Sequence, residues 1–207
     1  MWAFELGLDI GHTQEKFGAL SCSCKKEYNY NKSLGEFIQN YLGSNKNIHI
    51  STNAKDNNVT FDDRYALAVG KDLFISLHHD STQPQFIKTI NGCPHTSYAF
   101  GYSIFVSRKN QEFSKSLEFA TKFANKLRTF GLNSSSHHAE KIDGEDKEAQ
   151  NKSIGIYFYD DLKVLKNAKS PAFLFEAGVI VNCKDEKNVE SLEFRKKIAD
   201  AISSLGD

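Results

Sequence analysis

Short apolar runs alternate along the chain with longer segments in which apolar residues recur at helical spacing. The runs predict strands, and the recurring spacing predicts amphipathic helices. Strands are predicted at 4–10, 48–50, 73–78, 102–106, 154–159 and 172–176, and helices at 25–42, 61–69, 112–130, 162–165 and 189–205. This alternation predicts an α/β fold, with a twisted, largely parallel sheet flanked by helices on both faces.

One long segment, 131–153, interrupts this pattern. It is polar and shows no apolar periodicity, which is typical of a mobile surface loop. The adjacent residues His137 and His138 lie within it, and the polar surroundings predict a solvated histidine pair. We expect the loop to lie near the mouth of a cleft.

Length and charge narrow the class of protein. A chain of 207 residues suits a single domain, 1–207, with its own hydrophobic core. The 26 basic and 26 acidic residues give no net charge, which argues against a nucleic-acid partner and a polybasic membrane-binding surface. The apolar runs are too short for insertion into a membrane. Residues 1–10 lack the basic start of a signal peptide, so the protein either stays inside the cell or has lost a leader. The oligomeric state is not indicated.

Four cysteines, Cys22, Cys24, Cys93 and Cys183, are too few for a disulfide scaffold in a chain of this length. Cys22 and Cys24 also lack the two-residue gap that is typical of zinc knuckles and redox motifs. The sequence therefore predicts free thiols in a loop.

Residues able to bind a metal follow several of the predicted strands. His12 follows the first strand, His78 ends the third, Glu176 ends the last, and Glu27 opens the first long helix. Because ligands of parallel sheets bind beyond the carboxyl ends of the strands, these groups can converge. A histidine at a strand end is commonly structural, and a glutamate in a first helical turn commonly interacts with the helix dipole. A carboxylate within an apolar run is harder to explain without a partner, which favours a zinc hydrolase.

Four short motifs occur in order over nearly the whole chain. They are the opening segment 11–27, the segment 62–68 around Arg64, the segment 72–78 and the segment 171–182. The opening segment contains Gly11-His12, then Gly18-Ala19, and then Glu27 fifteen positions after His12. Together they resemble the motifs of the zinc-dependent N-acetylmuramoyl-L-alanine amidases. Each motif alone would be weak, but their order makes the resemblance specific.

The resemblance implies a chemistry for each residue. His12, Glu27 and His78 would be the ligands of Zn²⁺, the implied cofactor, and Glu176 would be the catalytic carboxylate. The implied reaction is hydrolysis of the amide between the lactyl group of N-acetylmuramic acid and the L-alanine of the stem peptide. Peptidoglycan would be the substrate, and the expected location is the cell envelope, periplasmic or secreted.

Three further residues are expected beside the ligands or at the substrate rim: His79, Arg64 and Asn182. An exchange of roles between His78 and His79 stays open, because successive strand residues face opposite sides. Two other functions also stay open. A related zinc peptidase or carboxypeptidase would cut free peptides, and an inactive peptidoglycan-binding module would bind cell wall without needing zinc.

Overall fold

The computed structural model describes residues 3–55 and 58–206. The strands are β1 (Phe4–Ile10), β2 (Ile48–Thr52), β3 (Leu73–Asp80), β4 (Lys88–Ile90), β5 (Cys93–His95), β6 (Ser103–Val106), β7 (Ala149–Asn151), β8 (Ile156–Phe158) and β9 (Ala172–Val179). The helices are α1 (Glu27–Leu42), α2 (Phe61–Ala68), α3 (Phe113–Thr129), α4 (Lys163–Lys166), α5 (Cys183–Glu190) and α6 (Leu192–Ser203).

Seven strands form one sheet in the order β2-β1-β3-β9-β6-β8-β7. The first four are mutually parallel, β6 runs antiparallel to β9 and parallel to β8, and β7 is antiparallel to β8. The largely parallel sheet and the single α/β domain are therefore confirmed. Because β1, β3 and β9 are parallel neighbours, their carboxyl ends lie side by side at one edge of the sheet.

Helices cover both faces of the sheet, as predicted. On one face, α1, α3 and α6 pack over a large apolar core that includes Leu34 and Phe123. On the other, α2 and α4 cover a smaller core around Phe74 and Leu165. Burying one such side chain stabilises the fold by about 1.5–3 kcal/mol. These layers hold the carboxyl ends of the central strands in a fixed frame. Among the described residues, no helix has the length and apolar character needed to cross a membrane.

The prediction of one helix at 189–205 is wrong at its first residues. The structure has two helices there, α5 and α6, which meet at Ser191. Ser191 adopts extended backbone angles, and its side chain accepts a hydrogen bond from the Phe194 amide, so it begins α6 as an N-cap. The short α5 is largely polar, which is why its sequence carries no apolar periodicity.

The prediction of free thiols is wrong. Cys22 is bonded to Cys183 and Cys24 to Cys93, with sequence separations of 161 and 69. Partners this distant in sequence meet only through the tertiary fold, so local spacing gives no sign of them. The two disulfides tie the loop before α1 to the start of α5 and to the β4–β5 hairpin.

The segment 131–153 is more structured than its composition predicts. It contains a short 3-10 helix, His137–Ala139, and the edge strand β7. His137 and His138 are both buried, so the prediction of a solvated pair is wrong. The reason is that the segment folds back against the end of β3, where Asp80 contacts both imidazoles. Its mobility stays a prediction.

Candidate active site

The structure brings the three predicted ligands together. His12 follows β1, His78 lies near the end of β3, and Glu27 is the first residue of α1. His12 Nε2 lies 3.1 Å from Glu27 Oε2, and His78 Nδ1 lies 3.2 Å from Glu27 Oε1. One nitrogen of each imidazole and one carboxylate oxygen all fall within 4.8 Å of one another, which is close enough to share one metal ion.

Two glycines make this close approach possible. A Cβ atom at Gly11 would lie 2.3 Å from His78 Nε2, and one at Gly18 would lie 2.1 Å from Glu27 Oε2. Any larger residue would displace a ligand side chain. Gly18 also has a φ of 76°, a conformation that side chains other than glycine rarely adopt. His12 itself has a φ of 66°, the kind of backbone strain that clusters at functional sites.

Backbone and side-chain donors orient the Glu27 carboxylate. The Ala19 amide donates to Oε2 at 3.0 Å, and the His79 amide and Asn31 Nδ2 each donate to Oε1 at 3.2 Å. Burial works to raise the pKa of Glu27, but the hydrogen bonds from His12 and His78 outweigh it and hold the pKa well below its usual range. The carboxylate is therefore ionised, as a metal ligand must be.

His79 lies behind the ligands. Its buried ring places Nδ1 2.7 Å from Asn31 Oδ1, and Asn31 in turn binds Glu27. Burial lowers the pKa of His79 to about 3, so the ring is neutral. The ring of His78 therefore contacts the Glu27 carboxylate directly, whereas the ring of His79 contacts Asn31. Asn31 was missed from the sequence, although its place four residues after Glu27 puts both on one helical face.

Arg64 lies beneath the His12 loop. It is buried, forms an ion pair with Asp9, and donates to the carbonyl oxygen of His12 at 2.7 Å. Asp9 also accepts hydrogen bonds from Ser76 Oγ and Asn53 Nδ2, both at 2.6 Å. Arg64 therefore supports the backbone of His12, a predicted ligand.

Glu176 lies on β9 directly opposite His78 in the strand register. Its Oε2 atom is buried, and no residue of 3–55 or 58–206 forms a hydrogen bond with it. Burial raises the pKa of Glu176 well above its usual value, and the nearby Asp80 and Glu27 carboxylates add to the effect. A carboxyl group with a raised pKa holds its proton to a higher pH than a solvated glutamate does, which suits a group that exchanges protons with a substrate.

Two adjoining cavities open beside these residues. The larger, about 640 Å³, is lined by His12 and His78, and the smaller, about 230 Å³, is lined by Glu176. Leu162 and Leu174 line both cavities. The two predicted histidine ligands and Glu176 thus line adjoining cavities, which together have room for an extended substrate.

The sequence matches the family model described as N-acetylmuramoyl-L-alanine amidase over residues 6–204. The chain belongs to this amidase family. Membership supports hydrolysis of a peptidoglycan amide, as the motifs predicted, and confirms the predicted family. No curated protein matches the sequence significantly.

Solved amidases share the fold. An N-acetylmuramoyl-L-alanine amidase from Clostridium difficile 630 is 20% identical, with a TM-score of 0.74 over 99% of this chain and 95% of that one. The amidase Ami1 from Mycobacterium smegmatis is 17% identical, with a TM-score of 0.75 over 99% and 97%. The catalytic domain of the amidase CwlV from Bacillus (Paenibacillus) polymyxa var. colistinus is 21% identical, with a TM-score of 0.71 over 98% and 95%.

In this amidase, the side chain of Asn182 contacts backbone groups that hold the fold together. Its side chain accepts a hydrogen bond from the Lys184 amide at 3.0 Å and so caps α5. It also donates to the carbonyl oxygen of Ala99 at 2.9 Å. The expectation of a place beside the ligands or at the substrate rim finds no support in these contacts.

Proposed function

We propose that the protein is a zinc-dependent amidase that cleaves the bond between N-acetylmuramic acid and the L-alanine of peptidoglycan. The observation that carries the proposal is the convergence of His12, Glu27 and His78 within 4.8 Å, with Glu176 opposite His78 on the neighbouring strand. Family membership supplies the substrate class. In this proposal the domain 1–207 is the catalytic unit.

The donor set fits zinc. Two imidazoles and one carboxylate are a usual protein set for catalytic Zn²⁺ and leave a fourth position open. The ionised Glu27 balances part of the charge of the ion, and Gly11 and Gly18 leave the ligands room to converge. Bound there, zinc would polarise the scissile carbonyl and lower the pKa of water.

Glu176 moves the proton in this proposal. Its carboxylate takes a proton from the attacking water and passes it to the amine nitrogen of L-alanine as that group leaves. The buried, unpartnered Oε2 suits this role, because no hydrogen bond must break before the proton arrives. Leu162 and Leu174 supply apolar surface shared by both cavities.

The proposed site of action is outside the cytoplasm. Disulfides persist mainly in oxidising compartments, and this chain has two. Peptidoglycan, the proposed substrate, also lies outside the cytoplasmic membrane. Detection of the protein in envelope or culture fractions of its host would test this part.

The catalytic role is tested with Glu176→Gln, which keeps the shape of the side chain. Digestion of purified peptidoglycan is followed by the appearance of new L-alanine amino termini. We expect a loss of about a hundredfold or more with bound zinc unchanged, as is usual when a positioned acid–base group is removed. Glu193→Gln, at an exposed position on α6, is the matched control and should retain full activity.

The outcomes separate the alternatives. If Glu176→Gln loses its zinc, the residue is a ligand; if it keeps near-normal activity, the mechanism is wrong. Cleavage of free stem peptides but not of intact peptidoglycan would indicate a peptidase. Binding to cell wall without cleavage, unaffected by removing zinc, would indicate an inactive binding module.

A further inference from the structure

A second group of side chains able to bind a metal lies beside the smaller cavity, which Asp80 and His138 line. It consists of Asp80, at the end of β3, and of His137 and His138; we call it the second cluster. Asp80 Oδ2 lies 2.7 Å from His138 Nε2 and 3.5 Å from His137 Nε2. All three ligand atoms fall within 4.8 Å of one another. Two nitrogens thus converge on one carboxylate oxygen.

The opposite ring nitrogens are both anchored. His137 Nδ1 lies 2.7 Å from the hydroxyl of Ser135, and His138 Nδ1 lies 2.8 Å from Glu145 Oε2. Glu145 is itself held by Gln83, whose Nε2 donates to it at 3.0 Å. Metal-binding histidines almost always have such a partner on the far nitrogen, because it sets the tautomer and the ring orientation.

An ion pair with Asp80 explains the position of His138 but not that of His137. A protonated His138 can donate to Asp80 and Glu145; burial opposes its charge, but the two carboxylates raise the pKa of His138 to about 9. His137 differs, because burial lowers its pKa and leaves the ring neutral. Its Nε2 is buried and has no hydrogen-bond partner within the described part of the chain. The Nε2 atom of His137 therefore faces Asp80 at 3.5 Å without a close hydrogen bond, which leaves it available to an ion.

We propose that Asp80, His137 and His138 bind a divalent cation of the zinc class, at a site separate from His12, Glu27 and His78. Two imidazole nitrogens and one carboxylate oxygen suit Zn²⁺. Ligand atoms around a tetrahedral zinc ion lie about 3.4 Å apart, which matches the 3.5 Å between Asp80 and His137. The 2.7 Å between Asp80 and His138 is the hydrogen bond of the metal-free state, and it must lengthen when His138 gives up its proton to bind the ion. The cavity of about 230 Å³ gives the ion access from solvent. This inference does not depend on the proposed amidase activity.

The test isolates the second cluster without changing it. The variant His12→Ala/His78→Ala of the 207-residue chain lacks two proposed ligands of the first site, and Zn²⁺ alone is titrated into it by calorimetry after removal of metal. We expect one equivalent to bind this variant and two to bind the unchanged protein. If the variant binds none, the proposal is overturned, whatever the first site does. One equivalent in the unchanged protein and none in the variant would leave the amidase proposal intact.

Substitutions then assign the bound ion to its ligands. In the His12→Ala/His78→Ala background, His137→Gln should weaken zinc binding by more than about a hundredfold. Glu145→Gln, which removes only the partner of His138, should weaken it by about ten- to a hundredfold. Glu140→Gln, in the same segment, is the matched control and should bind as before. Equal affinity in the His137→Gln and Glu140→Gln variants would overturn the assignment, and circular dichroism verifies the fold of each variant.

Discussion

The first cluster (His12, Glu27 and His78) and the second cluster lie at the same end of β3, yet they are built differently. In the first, each oxygen of one central carboxylate faces a different imidazole, and the three residues come from three separate elements. In the second, both imidazoles belong to one 3-10 turn and approach a single oxygen of Asp80. The first is held by regular elements and glycines, whereas the second depends on how a loop folds back.

The largest effect is expected from a substitution that removes the metal site of the first cluster and leaves the second cluster unchanged. Glu27→Ala removes the only carboxylate of that cluster and leaves two imidazoles without a charge to balance the ion. We expect amidase activity to fall by more than about a thousandfold, because the metal is lost with its ligand. Metal analysis should show one equivalent less than the unchanged protein. Full zinc content in Glu27→Ala would show that the carboxylate is not a ligand.

The next largest effect concerns the two disulfides, which support only the first cluster. Both disulfides hold the loop that leads into Glu27, whereas no disulfide of residues 3–55 and 58–206 joins the segment of the second cluster. Cys22→Ser/Cys183→Ser should lower the free energy of unfolding by about 2–5 kcal/mol, because its loop of 161 residues is long. Urea unfolding measures this. A larger loss of zinc at the second cluster than at the first would contradict the comparison.

A pH effect should distinguish the second cluster in the metal-free protein. Against the effect of burial, the Asp80 and Glu145 carboxylates raise the pKa of His138 from 6.5 to about 9. The protonated ring therefore stabilises the folded state fully below pH 6.5, and this contribution to the free energy of unfolding is lost as the pH rises through 9. The loss should be about 3 kcal/mol of unfolding free energy between pH 6 and 10. Because other groups also titrate, the measured quantity is the difference from His138→Gln under the same conditions. An equal pH dependence in both proteins would refute the ion pair.

The smallest effect is expected behind the first cluster. His79→Ala removes the partner of Asn31 but no ligand. Zinc affinity should fall by about tenfold, as is usual for an orienting partner, while saturating zinc still fills the site. Equilibrium dialysis measures the affinity. A loss as large as that in His78→Ala would mean that the two histidines had been assigned the wrong way round.

The parts of the fold predicted from sequence are those that depend on local pattern. The apolar runs of β1, β3 and β9 and the helical face of α1 are set by side chains near one another in sequence, so their periodicity reveals them. The first cluster follows from these strand ends together with the order of the motifs. The polar α5 escaped prediction, because it is stabilised by its cap at Asn182 and by tertiary contacts.

The sequence by itself determined six of the nine described strands, most of the helices, the family and the candidate residues of the first cluster, because these follow from local pattern and from the order of short motifs. The three short strands β4, β5 and β7 escaped prediction. Only the tertiary structure decided the disulfide pairs, the burial of His137 and His138, and their meeting with Asp80. These contacts join residues far apart in sequence, and loop 131–153 carries no periodic signal of where it will pack. Their energy comes from charge and hydrogen bonds in a buried place, which exists only after the sheet has formed.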